Sequence, residues 1–302
     1  MTQGNALEKR ALRRSFGRAA RGYDRAAVLQ QEVGARALER LQLVRIDPGL
    51  ILDAGCGTGG SAAALRARFP RARLLELDIA PEMLGVARDR LSGGENHWWK
   101  KFLPSGWRGS ARDSFLCADN EQLPLRPGTV DLLWSNLAFQ WANDISSVLK
   151  ECRRVLRPGG LLMFSTLGPD TLKELRQAFA VDSGKPHVNR FIDMHDIGDM
   201  LVRAGFGDPV MDMEQLTLTY ADLNALTTDL RATGSQNVHL GRRRGLTGRQ
   251  LMAGVGQAYE RYRQDGRLPA TYEVIYGHAW KPEPRTGPGG RPVIEIVPSR
   301  GG

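Results

Sequence analysis

A chain of 302 residues, 41 % of them hydrophobic, can bury the core of one large α/β domain with attachments or of two modest domains. Its three cysteines, Cys56, Cys117 and Cys152, are odd in number and irregularly spaced, and its five histidines are scattered, so neither a disulfide framework nor a metal site is expected. No apolar run nears the roughly 20 residues that span a bilayer and no secretory signal opens the chain, so a soluble, cytoplasmic protein with no membrane partner is expected.

The net charge of +9 and a pI near 9.8 bear on partners, not on fold: an acidic protein, an anionic substrate and nucleic acid are all admissible. Lys9, Arg10, Arg13, Arg14, Arg18 and Arg21 give a basic opening that could pass for a transit peptide, but Glu8 and Asp24 interrupt it. Asp24 then reads as the cap of a helix whose apolar positions Val28, Val33, Ala37, Leu38 and Leu41 fall at helical spacing, ending before Asp47-Pro48-Gly49.

From Leu50 short apolar runs alternate with amphipathic stretches, which is the pattern of β-α-β units and a parallel sheet. Strands are expected at Leu50–Ala54, Arg73–Asp78, Phe115–Ala118, Val130–Ser135 and Gly160–Thr166. Helices are expected at Gly60–Phe69, Pro81–Leu91 and Asp144–Leu156. Ser92–Asp113, with Trp98, Trp99, Lys100, Lys101 and Trp107, reads as a long basic aromatic loop. Later helices are expected at Asp170–Ala180, Met194–Ala204, Ala221–Ala232 and Thr247–Arg263, and strands around Val210–Tyr220 and Thr271–Trp280. Asp131 is expected to cap or pair beside the fourth strand, and Leu156–Gly160 to end a helix and turn into a strand.

Ile51-Leu52-Asp53-Ala54-Gly55-Cys56-Gly57-Thr58-Gly59-Gly60 is an apolar strand running into a glycine-rich turn and then a helix. Glycines there permit positive φ and let a ligand press on the main chain. Gly55, Gly57 and Gly60 also satisfy the dinucleotide spacing, which alone is weak evidence. Asp53 tips the balance: a carboxylate two residues before the first glycine repels a pyrophosphate but can receive the ammonium of a methionine moiety, directly or through water. Asp78, at the end of the next strand, can accept both ribose hydroxyls. Asp119 and Asn120, after the third strand, place side-chain acceptors where an adenine amino group would lie. The cofactor so indicated is S-adenosyl-L-methionine.

Asp53-x-Gly55-x-Gly57-x-Gly59, Leu77 to Leu84, Asp119 with Leu123-Pro124, and Leu156-Arg157-Pro158-Gly159-Gly160 resemble the successive motifs of class I S-adenosylmethionine-dependent methyltransferases. The resemblance implies a Rossmann-like α/β fold with a central, mostly parallel sheet. It assigns Asp53 to the methionine end, Asp78 to the ribose and Asp119 to the adenine, with Ile79 and Met83 on the adenine face; Asn136 joins the cofactor contacts.

Ser15-Phe16-Gly17-Arg18-Ala19-Ala20, Tyr23-Asp24, Ser135 to Trp141, Leu230 to Asn237, Gly241 to Leu246 and Leu268 to Tyr272 further resemble the malonyl-acyl carrier protein O-methyltransferases of biotin synthesis. On that resemblance the segments are an N-terminal helical lid (1–48), the cofactor domain (49–220), a helical insertion over the active site (221–268), the final strand (269–281) and a disordered tail (282–302). Tyr23 becomes a lid residue donating a hydrogen bond to the substrate carboxylate, or else a packing residue at a helix start. Gln140 and Trp141 line the acceptor pocket, with Trp141 equally readable as core. Arg242, Arg243 and Arg244 are candidates for the carboxylate or the phosphopantetheine arm. The implied partner is an acidic acyl carrier protein bearing malonyl, with malonyl-CoA admissible and no nucleic acid expected. The Trp- and Lys-rich loop departs from the family in being longer. Two rivals remain: a complex I assembly relative acting on protein arginine, and a nucleic-acid module built on Trp98, Trp99, Lys100, Lys101 and Arg108.

Overall fold

The computed structural model describes residues 6–91, 113–181, 187–240 and 248–284. Seven strands form one sheet in the order β3-β2-β1-β4-β5-β7-β6: β1 (Leu50–Ala54), β2 (Arg73–Asp78), β3 (Asp113–Cys117), β4 (Val130–Asn136), β5 (Leu156–Leu167), β6 (Gly207–Tyr220) and β7 (Leu268–Trp280). β3, β2, β1, β4 and β5 run parallel, and β7 is antiparallel to both β5 and β6.

β1 and β4 are apolar on both faces, as a parallel strand between two helical layers must be. Ile51, Leu132 and Trp134 enter one core with Val33, Leu41 and Leu65; Leu52 and Leu133 enter the other with Val148 and Leu149. β6, at the edge, alternates exposed and half-buried residues along its length. The chain leaves β1 toward β2 and β3, then returns to β4 on the other side of β1. That reversal opens a crevice at the carboxyl ends of β1 and β4, the place where open α/β sheets bind ligands.

Most expected elements occur with shifts at their ends. The helices are α4 (Ala62–Arg68), α5 (Pro81–Leu91), α6 (Ile145–Val155), α7 (Lys173–Ala178), α8 (Met194–Arg203), α9 (Leu223–Ala232) and α10 (Arg249–Glu260). Asp144 caps α6 by accepting from the Ser146 amide at 3.0 Å. The helix expected over Asp170–Ala180 shortens to α7 and a 3-10 turn at Phe179–Val181, because Leu172, before α7, takes a left-handed φ of 54°. Asp131 pairs as expected, accepting from the Gly49 and Leu50 amides at 2.7 Å each and meeting Arg157 at 2.6 Å.

The N-terminal reading needs correction. In place of one helix capped by Asp24 there are three: α1 (Lys9–Ala19), α2 (Tyr23–Ala26) and α3 (Val28–Gln42). Asp24 lies inside α2, and its carboxylate is taken by the Thr58 hydroxyl and by Arg90 rather than by a helix amide. Val28, read as a core position, is 56 % exposed at the first residue of α3, whereas Val33, Ala37 and Leu41 are buried. Among the described residues no helix is long and apolar enough to cross a membrane.

Candidate active site

The turn after β1 is built on left-handed glycines, with φ of 83° at Gly55, 56° at Gly57 and 75° at Gly59. The Gly55 and Cys56 amides both donate to the Leu77 carbonyl, at 2.7 and 2.9 Å, and the Gly57 amide donates to Asp78 Oδ2 at 3.0 Å. A methyl group on Gly55 would collide with the Ala138 Cβ, so this residue lets the loop after β4 close on the turn. The large cleft above is lined by Gly55, Gly57 and Asp78 on one side and by Tyr23, Asn136 and Gln140 on another. Gly59 does not face it; it packs instead against Ala87 of α5, where a Cβ would sit 3.2 Å from the Ala87 Cβ.

Asp78 Oδ1 also accepts from the Ala80 amide at 2.8 Å. Burial still outweighs these bonds and pushes its pKa up to about 6. Asp53 is 2 % exposed, lies outside the lining of the cleft, and receives no hydrogen bond from a described residue. Burial, then the charges of Glu76 and Asp78, hold its pKa well above the usual carboxylate range.

Glu76 went unread in the sequence. It stands beside Asp53 in the β1–β2 register, is fully buried, and neither oxygen has a hydrogen-bond partner. Burial pushes its pKa up to about 7, against the opposing pull of the neighbouring Cys56 thiol, which lies outside strict hydrogen-bond geometry, and of the Arg66 and Arg90 charges. The signal was available: a glutamate inside Leu74-Leu75-Glu76-Leu77, a strand whose apolar pattern puts it in the interior. The three acids crowd the carboxyl ends of β1 and β2, and burial holds each of them toward its protonated form.

Just beyond β3 Asp119 is held by Lys9 of α1 at 3.0 Å, and Lys9 also pairs with Glu121. Asn120 Oδ1 is buried without a partner and is the free acceptor there. Ile79 and Met83 line the cleft nearby. Asn136 is spent on structure, donating to the Gln30 carbonyl at 2.9 Å and accepting from Ser165 at 2.7 Å. Gln140 donates to the Leu137 carbonyl at 2.6 Å. Trp141 is both wall and core: it lines the cleft and meets Phe16 edge-on at 5.3 Å. The half-buried Tyr23 hydroxyl has no hydrogen-bond partner among the described residues, and burial followed by the charges of Asp78 and Asp24 raises its pKa, so it stays protonated. Arg242, Arg243, Arg244 and the loop with Trp98, Trp99, Lys100, Lys101 and Arg108 lie outside the described residues.

Residues 52–164 match the family model described as a methyltransferase domain. A malonyl-[acyl-carrier protein] O-methyltransferase of Laribacter hongkongensis is 55 % identical over 99 % of each chain, and one of Gallionella capsiferriformans is 52 % identical over 96 % of each. The chain belongs to this methyltransferase family. A further malonyl-[acyl-carrier protein] O-methyltransferase, from Halorhodospira halophila, is 44 % identical over 97 % of this chain and 93 % of its own. Among solved structures, a Bacillus halodurans protein described as a methyltransferase matches with a TM-score of 0.56 at 17 % identity, covering 82 % of this chain and 98 % of its own. The YcgJ protein of Bacillus subtilis matches at the same TM-score and 14 % identity, covering 82 % and 99 %. These two likenesses speak to the fold, the Rossmann-like class I methyltransferase fold.

Proposed function

We propose that the chain transfers a methyl group from S-adenosyl-L-methionine to the free carboxylate of a malonyl thioester on acyl carrier protein, giving the malonyl methyl ester that starts biotin (pimeloyl) synthesis. The observation that carries the reading is a cleft lined by the left-handed glycine turn and by the buried Asp78, with a protonated tyrosine hydroxyl on its wall that has no partner among the described residues. The relatives' printed name supports the substrate and disfavours the arginine-directed and nucleic-acid readings.

The residues fit the cofactor. Asp78, on the cleft, suits ribose hydroxyls, the orphaned Asn120 Oδ1 suits the adenine amino group, and the buried Asp53 near the end of β1 suits the cationic amino-acid end. When bound, the cofactor supplies an electrophilic methyl on a sulfonium. No general base is needed, because a carboxylate is already ionised near neutral pH. The protein's work is therefore to position the anion and keep water out.

In this reading Tyr23 donates to the substrate carboxylate without neutralising it, and residues 1–48 act as a lid. Gln140 and Trp141 wall the acceptor side, and Arg242, Arg243 and Arg244 hold the carboxylate or the phosphate of the carrier arm. Residues 221–268 roof the site, with Asp229, Leu230 and Thr233 of this segment lining the cleft. The acidic carrier protein meets a chain of +9.

Labelled S-adenosylmethionine with malonyl-carrier protein tests the reading, the expected product being an alkali-labile methyl ester. A protein that binds the cofactor yet labels no malonyl thioester would overturn the substrate assignment.

A further inference from the structure

A second hollow opens off the cleft. The two share Gln140, Leu167, Asn189 and Phe191 as lining, and the second continues to Thr166 and Arg190. Its character differs from the cofactor end of the cleft: among the described residues no carboxylate lines it, whereas Asp78 and Asp119 line the first.

Two of its polar side chains are uncommitted. Asn189 lines both hollows and makes no hydrogen bond to a described residue. Arg190 lines the second hollow alone, is exposed, and has no ion pair with a described residue. Among the described residues it is the sole arginine lining either hollow. The cleft's own lysine, Lys9, is already engaged by Asp119 and Glu121. Other polar neighbours are likewise spent: Asn143 accepts from the Leu7 amide at 2.6 Å and donates to its carbonyl, and Gln140 bonds Leu137 and Thr166. Positive charge also accumulates on this side. The Arg176 pKa is lowered by burial and by the charge of Arg190, against the pull of Asp170.

A free amide at a junction, apolar walls from Leu167 and Phe191, and an unpaired guanidinium beyond suit a narrow ligand with amides along its length and an anion at one end. We propose that this hollow is the subsite for the phosphopantetheine arm of the malonyl thioester, with Asn189 bonding an arm amide and Arg190 gripping the phosphate. The inference rests on the malonyl thioester reading of the cleft. Guanidinium suits the second role because its planar donor fork matches two phosphate oxygens at once. Threaded this way, the arm presents its malonyl end toward Gln140 and Tyr23 and keeps the anionic phosphate away from the acids at the ends of β1 and β2.

The same arm occurs on carrier protein and on coenzyme A, and the test separates them. Initial rates would be compared for malonyl-phosphopantetheine, malonyl-pantetheine, malonyl-CoA and malonyl-carrier protein, with the wild-type chain and with Arg190→Gln, Arg190→Lys and Asn189→Ala. The expected wild-type preference for the phosphate-bearing free arm is about tenfold in kcat/KM. Arg190→Gln should bring that ratio close to one, Arg190→Lys should restore part of it, and Asn189→Ala should raise KM for both free arms alike. An unchanged ratio in Arg190→Gln overturns the proposal. So does a loss confined to malonyl-carrier protein, which would place Arg190 against the carrier's surface. Failure of the wild-type chain on every malonyl thioester, with cofactor binding intact, is the distinct result that removes the underlying reading as well.

Discussion

The Asp24 carboxylate accepts a hydrogen bond of 2.6 Å from the Thr58 hydroxyl, which ties the short helix carrying Tyr23 to the glycine turn 34 residues further on. Thr58 is 2 % exposed and Arg90 meets the same carboxylate from α5, so the preceding residue, Tyr23, is delivered to the cleft by its neighbour's ion pair. A hydrogen bond to a charged group is worth about 1.5–3 kcal/mol when shielded, and Asp24 is partly exposed, so about 1 kcal/mol is expected here. Thr58→Val should therefore weaken cofactor binding roughly fivefold and speed proteolysis near residue 20. Calorimetry and limited digestion would check both, and unchanged values would remove the tie from any part in closure.

The buried acids give the unliganded protein a pH signature. Asp53, Glu76 and Asp78 all have folded-state pKa values raised above their unfolded ones, Glu76 to about 7 and Asp78 to about 6. Raised carboxyl values mean that the folded state binds more protons, so the stability these groups contribute is complete below about pH 4 and is lost as pH climbs to about 7. The Asp78 change alone, from 3.8 to about 6 at a residue 8 % exposed, corresponds to roughly 3 kcal/mol. Glu76→Gln should flatten the decline between pH 5 and pH 7.5 in urea unfolding of the cofactor-free protein. Asp53→Asn should raise the cofactor-free Tm while weakening cofactor binding tenfold or more, since the buried carboxyl whose ionisation costs stability is the group proposed to receive the cationic end. A lower Tm together with unchanged affinity would contradict the assignment of Asp53.

Much of this was legible because the decisive residues sit at strand ends, where pattern and motif coincide. Leu50–Ala54, Arg73–Asp78 and Pro81–Leu91 occur with the expected bounds, and Asp78 lies on the cleft where its strand ends. What escaped depends on partners distant in sequence. Asp24 looks like a cap from its neighbours alone, and only the fold brings Thr58 and Arg90 to it. Lys9 reaches Asp119 across 110 residues, so the acid expected to be open to the adenine is held by a lysine in this state. Pro158, Gly159 and Gly160 read as punctuation, yet β5 starts at Leu156 because Gly159 and Gly160 bond to Lys281, just beyond β7. Asn136 is expected from the sequence to contact the cofactor, whereas in the fold its side-chain amide bonds Gln30 and Ser165.

Gly55 and Gly57 offer a paired test of the turn. Both have left-handed φ, but a Cβ on Gly55 meets Ala138, whereas one on Gly57 finds only Tyr23 Cε1, at 4.0 Å. The strain of a left-handed alanine, about 1–2 kcal/mol, applies to both, and an overpacking cost of about 1–3 kcal/mol is added at Gly55. Gly55→Ala should thus lower the Tm more than Gly57→Ala in thermal unfolding. Equal losses would mean that the loop around Ala138 yields freely.

Tyr23→Phe separates the hydroxyl from the ring. The ring packs with Ala19, Ala20 and Met83, so the phenylalanine variant should keep the fold and bind cofactor normally. The hydroxyl has no partner among the described residues and is protonated, so what disappears is the proposed donor for the substrate anion. Loss of such a bond costs about 1.5–3 kcal/mol, or roughly tenfold to a hundredfold in kcat/KM for malonyl-carrier protein. A parallel drop in cofactor affinity would instead make the hydroxyl part of the cofactor site.

The basic opening of the chain should govern encounter rather than chemistry. Arg10, Arg13, Arg14, Arg18 and Arg21 are exposed along α1 and just beyond it, and apart from Arg14, which meets Glu8 at 3.6 Å, none has an ion partner among the described residues. The opposite face of the helix puts Leu12 and Phe16 into the wall of the cleft. A charged face one helix away from the site concentrates an acidic carrier near it, and such long-range attraction is screened by salt. For malonyl-carrier protein kcat/KM should fall roughly tenfold between about 0.02 M and 0.3 M salt. Malonyl-pantetheine, which has no protein surface to steer, should show little change. Reversing charge with Arg13→Glu and Arg18→Glu should remove most of the salt dependence while leaving the malonyl-pantetheine rate near that of the wild type. If the salt slope survives both substitutions, the steering field originates elsewhere on the surface.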